Sequence, residues 1–345
     1  MPTPEQIART KIDRLLVQAG WIVCDVRDAN ILGNSGVAIR EFPLPGHGFA
    51  DYLLYVGGQA AGVIEAKPEG ATLTGVETQS AKYTRGLPEK LPAWSRPLPF
   101  SYQSTGTETR FTNGLDPVPR SRPVFAFHSP AIFVELLGNS SNRIAQESPD
   151  YSGGAKTLLS RLQHMPPLIE EGLWPAQIKA IHNLEQSLKE NRPRALIQMA
   201  TGSGKTFTAI SFIYRLIKFA GARRVLFLVD RGNLGDQTLK EFQQYASPYN
   251  NFKFTEEYIV QRLSSNTLDT TARVCICTIQ RMYSMLKGKD LPEDLEEESV
   301  DKLGGLFKQP EPIEYNPAIP IESFDIIVTD ECHRSIYNLW AQVLE

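Results

Sequence analysis

The chain has 345 residues, of which 41% are hydrophobic and 22% charged, and its formal net charge is −3. This length exceeds one ordinary core, so two domains are expected. The slightly acidic balance argues against a surface that binds nucleic acid over its whole extent, although one basic groove stays compatible with it. No apolar run approaches the roughly 20 residues of a membrane span, and the N-terminus lacks a signal-peptide layout. The four scattered cysteines fit a reduced protein, so we predict a cytoplasmic protein without membrane contact.

The first half of the chain predicts a helix followed by hairpins. Residues 5–20 place apolar side chains on one helical face and stop at Gly20. Two apolar runs, 51–56 and 61–67, are joined by a glycine-containing turn and predict a β-hairpin. The remaining predicted elements of this half are a helix over 74–85 and a second hairpin with arms at 100–103 and 109–112.

The second half predicts strands that alternate with helices. A polar, glycine- and serine-rich stretch precedes it, so we expect a first domain over 1–137, a linker over 138–160 and a second domain over 161–345. Short apolar runs favour buried parallel strands at 195–199, 225–229, 274–278 and 324–329. Cys275 and Cys277 alternate within one of these runs and are interpreted as core residues. The acidic cluster 293–298 predicts a solvated loop.

A phosphate-binding loop is the most specific motif. Thr201-Gly202-Ser203-Gly204-Lys205-Thr206 follows the run 195–199 and precedes a predicted helix. Glycines let backbone N–H groups turn toward phosphates, and the helix N-terminus favours their charge. Lys205 would contact the β- and γ-phosphates of ATP, and the Thr206 hydroxyl would bind Mg²⁺. Met199 departs from the usual first position of the motif, and a glycine-rich turn without nucleotide is the alternative.

Paired acids end the last apolar run. Asp330 could hold Mg²⁺ through water, and Glu331 could polarise the water that attacks the γ-phosphate. His333 is interpreted as a link between nucleotide state and movement, with an incidental surface histidine as the alternative. The run Asp330-Glu331-Cys332-His333 resembles the second motif of superfamily 2 helicases and translocases.

That resemblance extends to weaker segments in the same order. Gln177, after Trp174-Pro175, matches the upstream glutamine that reads adenine in that superfamily. Residues 228–231 with Gln237, and residues 278–280, match its strand-end segments that hold DNA phosphates. The resemblance implies a RecA-like parallel-sheet motor domain that uses ATP and Mg²⁺.

A metal-nuclease pattern lies in the first half. Glu65 and Lys67 share one face of a predicted strand, because residues two apart in a strand point the same way. With a three-residue hairpin loop, Asp51 pairs directly with Glu65, and two such carboxylates repel each other unless a cation lies between them. Mg²⁺ held there can polarise a phosphodiester, with Lys67 neutralising charge. Gly62, and Gly46-His47-Gly48 ahead of Asp51, could leave room for a DNA backbone. A surface hairpin with alternating charges is the alternative.

The strand 63–67 resembles the core of the PD-(D/E)xK nuclease fold. Gln79 and Tyr83 match the Gln-x-x-x-Tyr motif of its RecB-like branch, and they share a helix face because they are four residues apart. A packed helix surface would show the same spacing. The resemblance implies a restriction-endonuclease-like α/β domain in which Gln79 and Tyr83 assist Asp51, Glu65 and Lys67.

A RecB-like nuclease before a superfamily 2 motor resembles the restriction subunit of type I restriction-modification enzymes, and residues 330–344 are similar to that family in particular. The resemblance implies ATP-driven pumping of double-stranded DNA, cleavage of unmodified DNA, and assembly with methylation and specificity subunits. We expect the motor to be C-terminally incomplete in this sequence, and therefore to bind ATP weakly and not to translocate. The alternatives are an ATP-binding, DNA-binding module that does not cut, and a DNA-repair or type III-like nuclease-helicase.

Overall fold

The chain forms two compact units, one of residues 1–143 with 320–322 and one of residues 144–319 with 323–345. The computed structural model describes residues 3–32, 36–46, 48–73, 83–138, 157–291, 296, 316–332 and 343. The division between the units falls inside the stretch 138–160, where the sequence predicts a linker. Among the described helices, none is long and apolar enough to cross a membrane.

The first unit is built on one seven-stranded sheet. Its described helices are α1 (Pro4–Gln18) and α2 (Pro130–Gly138), and its strands are β1 (Ile22–Asp25), β2 (Gly36–Leu44), β3 (Gly48–Val56), β4 (Gln59–Ala66), β5 (Phe100–Ser104), β6 (Thr109–Asn113) and β7 (Arg122–Val124). The strands follow one another in chain order across the sheet. The pairs β1–β2 and β4–β5 are parallel and the others antiparallel, so the sheet is mixed.

Helix α1 covers one face of this sheet. Thr3 caps its N-terminus: its hydroxyl accepts the backbone N–H of Gln6, and its own backbone N–H donates to Oε1 of Gln6, which fixes where the helix begins. Ile12 and Leu16 are fully buried in one core cluster with strand residues of β3 and β4. The predicted helix is confirmed, although the apolar side chain of Ile7 is exposed.

The hairpin β3–β4 contains a β-bulge. After a two-residue turn at Gly57 and Gly58, the strands pair Tyr55 with Ala60. At the next pair Leu54 stands opposite Gly62, which leaves one extra residue on β4. The two-residue turn and the bulge together give the same register as the three-residue loop that the sequence suggested.

Gly62 makes room for a neighbouring strand rather than for DNA. A Cβ atom at this position would lie 2.7 Å from the carbonyl oxygen of Phe100 on β5. The absence of a side chain therefore permits the close parallel pairing of β4 with β5, where Gly62 stands opposite Phe100. The interpretation of Gly62 as space for a DNA backbone was wrong.

The second unit contains a parallel sheet in the order β11-β8-β10-β9. Its strands are β8 (Val225–Val229), β9 (Val260–Arg262), β10 (Val274–Thr278) and β11 (Ile326–Thr329), and its described helices are α3 (Leu158–Leu162), α4 (Pro175–Lys189), α5 (Lys205–Ala220), α6 (Gly232–Gln244), α7 (Phe254–Glu257) and α8 (Ile279–Leu286). The predicted buried parallel strands are confirmed for β8 and β10, whereas β11 pairs in parallel as predicted but is only half-buried. Cys275 and Cys277 are buried in the core on β10, as expected.

The predicted strand at 195–199 does not form. These residues make no strand pairing, and the side chains of Leu196 and Ile197 are 78% and 40% exposed. Strand β11 is an edge strand of the described sheet, and β8 is its one neighbour there. An apolar run becomes a strand only when a neighbour accepts its hydrogen bonds, and none of the described strands does so here.

The acidic cluster is not uniformly solvated. Glu296, its one described residue, is buried and accepts hydrogen bonds from Arg262 at 3.2 Å, Arg281 at 2.7 Å and Thr278 at 3.2 Å. A carboxylate between two guanidinium groups is stable inside the protein because both partners compensate its lost hydration. The solvated-loop prediction was wrong at this position.

Candidate active sites

The carboxylates Asp51 and Glu65 meet at one end of the hairpin β3–β4. Tyr52 pairs with Ile64, so Asp51, one residue earlier, and Glu65, one residue later, stand opposite each other. Residues at such positions carry Cβ atoms about 5 Å apart. Both side chains are buried. The register set by the bulge therefore produces the pair that the sequence pattern predicted.

Each carboxylate already has one partner. One oxygen of Asp51 accepts the backbone N–H of Ala66 at 2.8 Å, and the other accepts the guanidinium of Arg9. Oε1 of Glu65 accepts the Lys67 ammonium at 2.8 Å. Oε2 of Glu65 is buried and has no hydrogen-bond partner among the described groups. Within the part of the chain that the structure describes, the site thus contains one buried acceptor without a donor.

Arg9 is a member of this site that the sequence reading missed. Besides Asp51, it donates to Glu41 on β2 at 2.5 Å and to Glu5 on its own helix at 3.1 Å. Glu41 has a left-handed backbone, with φ of 46°. The spacing of Glu5 and Arg9 by four residues predicts a helical ion pair, but nothing local in the sequence brings α1 to Asp51.

Burial controls the charge of this site. It raises the pKa of Asp51 despite the Ala66 amide and Arg9, which favour the ionised form. It likewise raises the pKa of Glu65, although Lys67 opposes it, and the nearby Asp51 raises it further. Tyr83 lies in the field of both carboxylates, which together with burial raise its pKa. Asp51, Glu65, Lys67 and Tyr83 therefore come together.

The donor set fits a single hard cation. Mg²⁺ is commonly bound through one or two carboxylates and completes its shell with water and substrate phosphate oxygens. Asp51 and Glu65 supply such a pair, and the unpartnered Oε2 of Glu65 is an available ligand atom. Within the described residues there is no group of three or more His, Cys, Asp or Glu side chains that could hold a metal. These described residues therefore do not form a metal site in which protein side chains supply every ligand.

The second candidate site is the loop before α5. Gly202 and Gly204 have left-handed backbones, with φ of 77° and 76°, which glycine adopts without strain. Ser203 donates its hydroxyl to the carbonyl of Ala200 at 2.6 Å and tightens the turn. Lys205 and Thr206 then open the 16-residue helix α5, whose first N–H groups lack helical acceptors. The exposed Thr201 completes the loop.

Lys205 reaches across to the end of β11. Its ammonium lies 2.8 Å from Oε1 of Glu331, and this hydrogen bond raises the pKa of Lys205. Glu331 has a left-handed φ of 49° and donates its backbone N–H to Asp330 at 3.0 Å. Burial raises the pKa of Asp330. The loop lysine and the paired acids, separated by more than 120 residues in sequence, thus form one cluster.

Gln177 supports this loop. Its Oε1 accepts the N–H of Trp174 at 2.8 Å, and its Nε2 donates to the carbonyl of Gly204 at 3.4 Å. A Cβ atom at position 204 would lie 2.4 Å from that Nε2. Gln177 therefore helps to position the phosphate-binding loop, and its role in reading adenine stays a prediction.

Comparisons with known proteins identify the family. A family model described as the type III restriction enzyme res subunit matches residues 171–345, just over half of the chain. A second, described as the second domain of the type I restriction enzyme EcoKI endonuclease subunit, matches residues 32–111. The type I restriction enzyme EcoKI endonuclease subunit of Escherichia coli (strain K12) is 26% identical over 383 residues, which cover 96% of this chain and 29% of that protein. The chain belongs to the restriction-subunit family that the first model describes, and the second model and the relatives support a type I restriction subunit.

Two further proteins are similar to this chain. The EcoAI endonuclease subunit of Escherichia coli is 31% identical over 173 residues, 49% of this chain and 17% of that protein. A solved fragment described as an HsdR subunit of a type I restriction enzyme from Vibrio vulnificus YJ016 is 20% identical and covers 99% of this chain and 53% of that chain. Its TM-score of 0.31 is too low to bear on the fold. The chain spans less than a third of the EcoKI and EcoAI relatives.

The segments predicted to hold DNA phosphates are partly enclosed. Thr278 and Gln280 are buried, with Thr278 donating to Glu296 and Gln280 to the carbonyl of Asp230. Arg231, just after the end of β8, is half-buried, and its Nε lies 3.4 Å from a carboxylate oxygen of Asp230. Gln79 and His333, two predicted site residues, lie outside the described residues.

Proposed function

We propose that this chain contributes Mg²⁺-dependent cleavage of unmodified double-stranded DNA and part of an ATP-driven DNA motor to a type I restriction enzyme. The first unit would be the PD-(D/E)xK nuclease domain and the second the first RecA-like motor domain. Membership of the family supports the restriction role, and the two side-chain clusters support the chemistry. The nuclease assignment depends on a single observation, the buried Asp51–Glu65 pair with its unpartnered carboxylate oxygen.

The residues of the nuclease site have separate tasks. Bound Mg²⁺ would supply Lewis acidity toward a phosphodiester and an activated water. Asp51 and Glu65 would hold the ion, and the raised pKa of each shows that burial penalises their charge when no ion is there to balance it. Lys67, 2.8 Å from Glu65, would neutralise charge beside the attacked phosphate. Tyr83, with Gln79, would orient the DNA backbone.

In the motor site, Lys205 forms an ion pair with Glu331, and a bound nucleotide would replace this pairing. Phosphates of ATP would compete for Lys205, because a polyphosphate carries more charge than one carboxylate, and Glu331 would be released to orient water. Thr206 and Asp330 would bind the accompanying Mg²⁺. A pocket beside α5, lined by Leu173, Phe207 and Tyr245 among others, is the candidate location for the adenine base.

The partners follow from the family. Type I endonuclease subunits are named as parts of multi-subunit enzymes, and we propose that this chain assembles with methylation and specificity subunits in the cytoplasm. Recognition of the DNA sequence would then belong to the specificity subunit. The acidic net charge of −3 fits a protein whose DNA contacts are confined to a groove.

Plasmid nicking tests the nuclease proposal. We expect the chain, with Mg²⁺, to relax supercoiled DNA, and we expect Asp51→Asn and Lys67→Met to abolish this activity. Glu69→Gln is the matched control, because Glu69 is an exposed carboxylate paired with Lys11 near the same strand end. Equal nicking by wild type and both site variants contradicts the proposal. So does a wild-type chain that neither nicks DNA nor binds a divalent ion dependent on Asp51.

A further inference from the structure

Arg9 is surrounded by carboxylates from three elements. It pairs with Glu5 on α1, Glu41 on β2 and Asp51 on β3. The side chains of Glu5 and Glu41 are 48% and 66% exposed, whereas that of Asp51 is 10% exposed. Because buried charges interact more strongly than solvated ones, Asp51 is the partner that matters most to the guanidinium.

The arrangement leaves polar atoms unsatisfied on both sides. Nε of Arg9 is buried without a hydrogen-bond partner among the described groups, and so is Oε2 of Glu65. Buried donors and acceptors in stable protein interiors are almost always paired. The guanidinium of Arg9 pairs with Asp51 but leaves Oε2 of Glu65 without a donor among the described groups. It is therefore an incomplete substitute for a cation that both carboxylates can bind.

We propose that Arg9 is a built-in competitor of the divalent ion: its guanidinium neutralises Asp51 until the ion displaces it. This inference rests on the proposed metal site. A divalent ion brings two charges and can bind Asp51 and Glu65 together, whereas the guanidinium reaches only Asp51 of this pair. After displacement Arg9 keeps Glu5 and Glu41 as partners, so its charge remains compensated. Arg9 is thus a positioning residue that sets how readily the nuclease site takes up metal.

Manganese binding measures this competition without any DNA cleavage. Mn²⁺ is titrated into the full chain, and the electron paramagnetic resonance signal of the free ion is followed, in an Asp330→Asn background that removes the second candidate metal site. Arg9→Met keeps most of the side-chain volume and removes the charge. We expect it to bind Mn²⁺ about tenfold more tightly or better, because the ion then neither displaces a guanidinium from Asp51 nor meets its positive charge.

Two further variants separate competition from general effects. Lys11→Met removes the same charge from the same helix, where Lys11 pairs with the exposed Glu69, and should leave Mn²⁺ affinity unchanged. Arg9→Lys keeps the charge but loses the planar fork that contacts three carboxylates at once. Its affinity should fall between those of wild type and Arg9→Met, and it reports on the proposal if Arg9→Met does not fold.

The outcomes distinguish this inference from the proposed function. Affinity that is unchanged or weakened in Arg9→Met, while Asp51→Asn abolishes binding, overturns the competition and leaves the metal site standing. Mn²⁺ binding that does not depend on Asp51 in any variant overturns both. Tighter binding in Arg9→Met and Lys11→Met alike also overturns the proposal, because it assigns the effect to net charge.

Discussion

The buried ion pair of Arg215 and Glu185 should dominate the stability of the second unit. Arg215 on α5 is 1% exposed and Glu185 on α4 is 6% exposed. The guanidinium donates to both oxygens of Glu185, at 2.6 and 3.0 Å, to the carbonyls of Pro166 and Pro167, and to the hydroxyl of Tyr249. These contacts engage all three of its nitrogens, whose N–H groups are the full donor set of an arginine side chain.

Removing one partner leaves an uncompensated charge inside the protein. Glu185→Leu should lower the free energy of unfolding by about 3–5 kcal/mol, the usual result of breaking a buried pair. Glu185→Leu combined with Arg215→Met should cost less than either single change, since apolar residues of similar volume can replace a buried pair at small cost. The two carbonyls left without donors keep the double variant below wild type.

Urea unfolding of the wild type, both single variants and the double variant gives the coupling energy. Because the chain has two compact units, the transition of the second unit is followed by fluorescence of its two tryptophans, Trp174 and Trp340, with Trp21 and Trp94 of the first unit replaced by Phe in every variant. A double variant as unstable as the sum of the single variants would refute the reasoning, because it would mean that the two charges stabilise the fold independently of each other.

Three further predictions concern single positions. Gly62→Ala should destabilise the first unit by about 1–3 kcal/mol in thermal unfolding, because its Cβ would lie 2.7 Å from the Phe100 carbonyl; unchanged stability would contradict the tight β4–β5 pairing. Burial acts to raise the pKa of Glu257, but the Lys218 hydrogen bond helps to lower it below the ordinary 4.5. This carboxylate should therefore stabilise the fold above pH 4.5 and lose that effect on acidification, so Glu257→Gln should flatten the acid limb of a stability-against-pH curve. Lys205→Ala should abolish binding of a fluorescent ATP analogue, and retained binding would contradict the phosphate-loop assignment.

Local sequence patterns correctly predicted several of the helices and strands. The amphipathic spacing of α1 with its Thr3 cap, the glycine turn of β3–β4, and the apolar runs of β8 and β10 all carry their signal within a few residues. The pairing of Asp51 with Glu65 could be predicted too, because a hairpin register depends only on the loop and strand between them. The bulge that achieves it was not visible, since the sequence offered a longer loop with the same result.

Contacts between distant segments could not be read from the sequence. Arg9 reaches Asp51 only because α1 crosses the sheet at that strand end, and Glu296 is buried only because Arg262 and Arg281 converge on it. The run 195–199 shows the converse, because apolar composition predicts a strand but cannot supply the neighbour that a strand needs. These residues depend on tertiary packing, which a local pattern does not encode.

Anomalous X-ray diffraction from crystals soaked in Mn²⁺ can locate a divalent ion shared by Asp51 and Glu65. We expect one anomalous peak bound by a carboxylate oxygen of Asp51 and by Oε2 of Glu65, at about 2.0–2.3 Å, with the Arg9 guanidinium withdrawn from Asp51. A peak bound by one of these carboxylates alone, or no peak while Arg9 remains on Asp51 at saturating Mn²⁺, would contradict it.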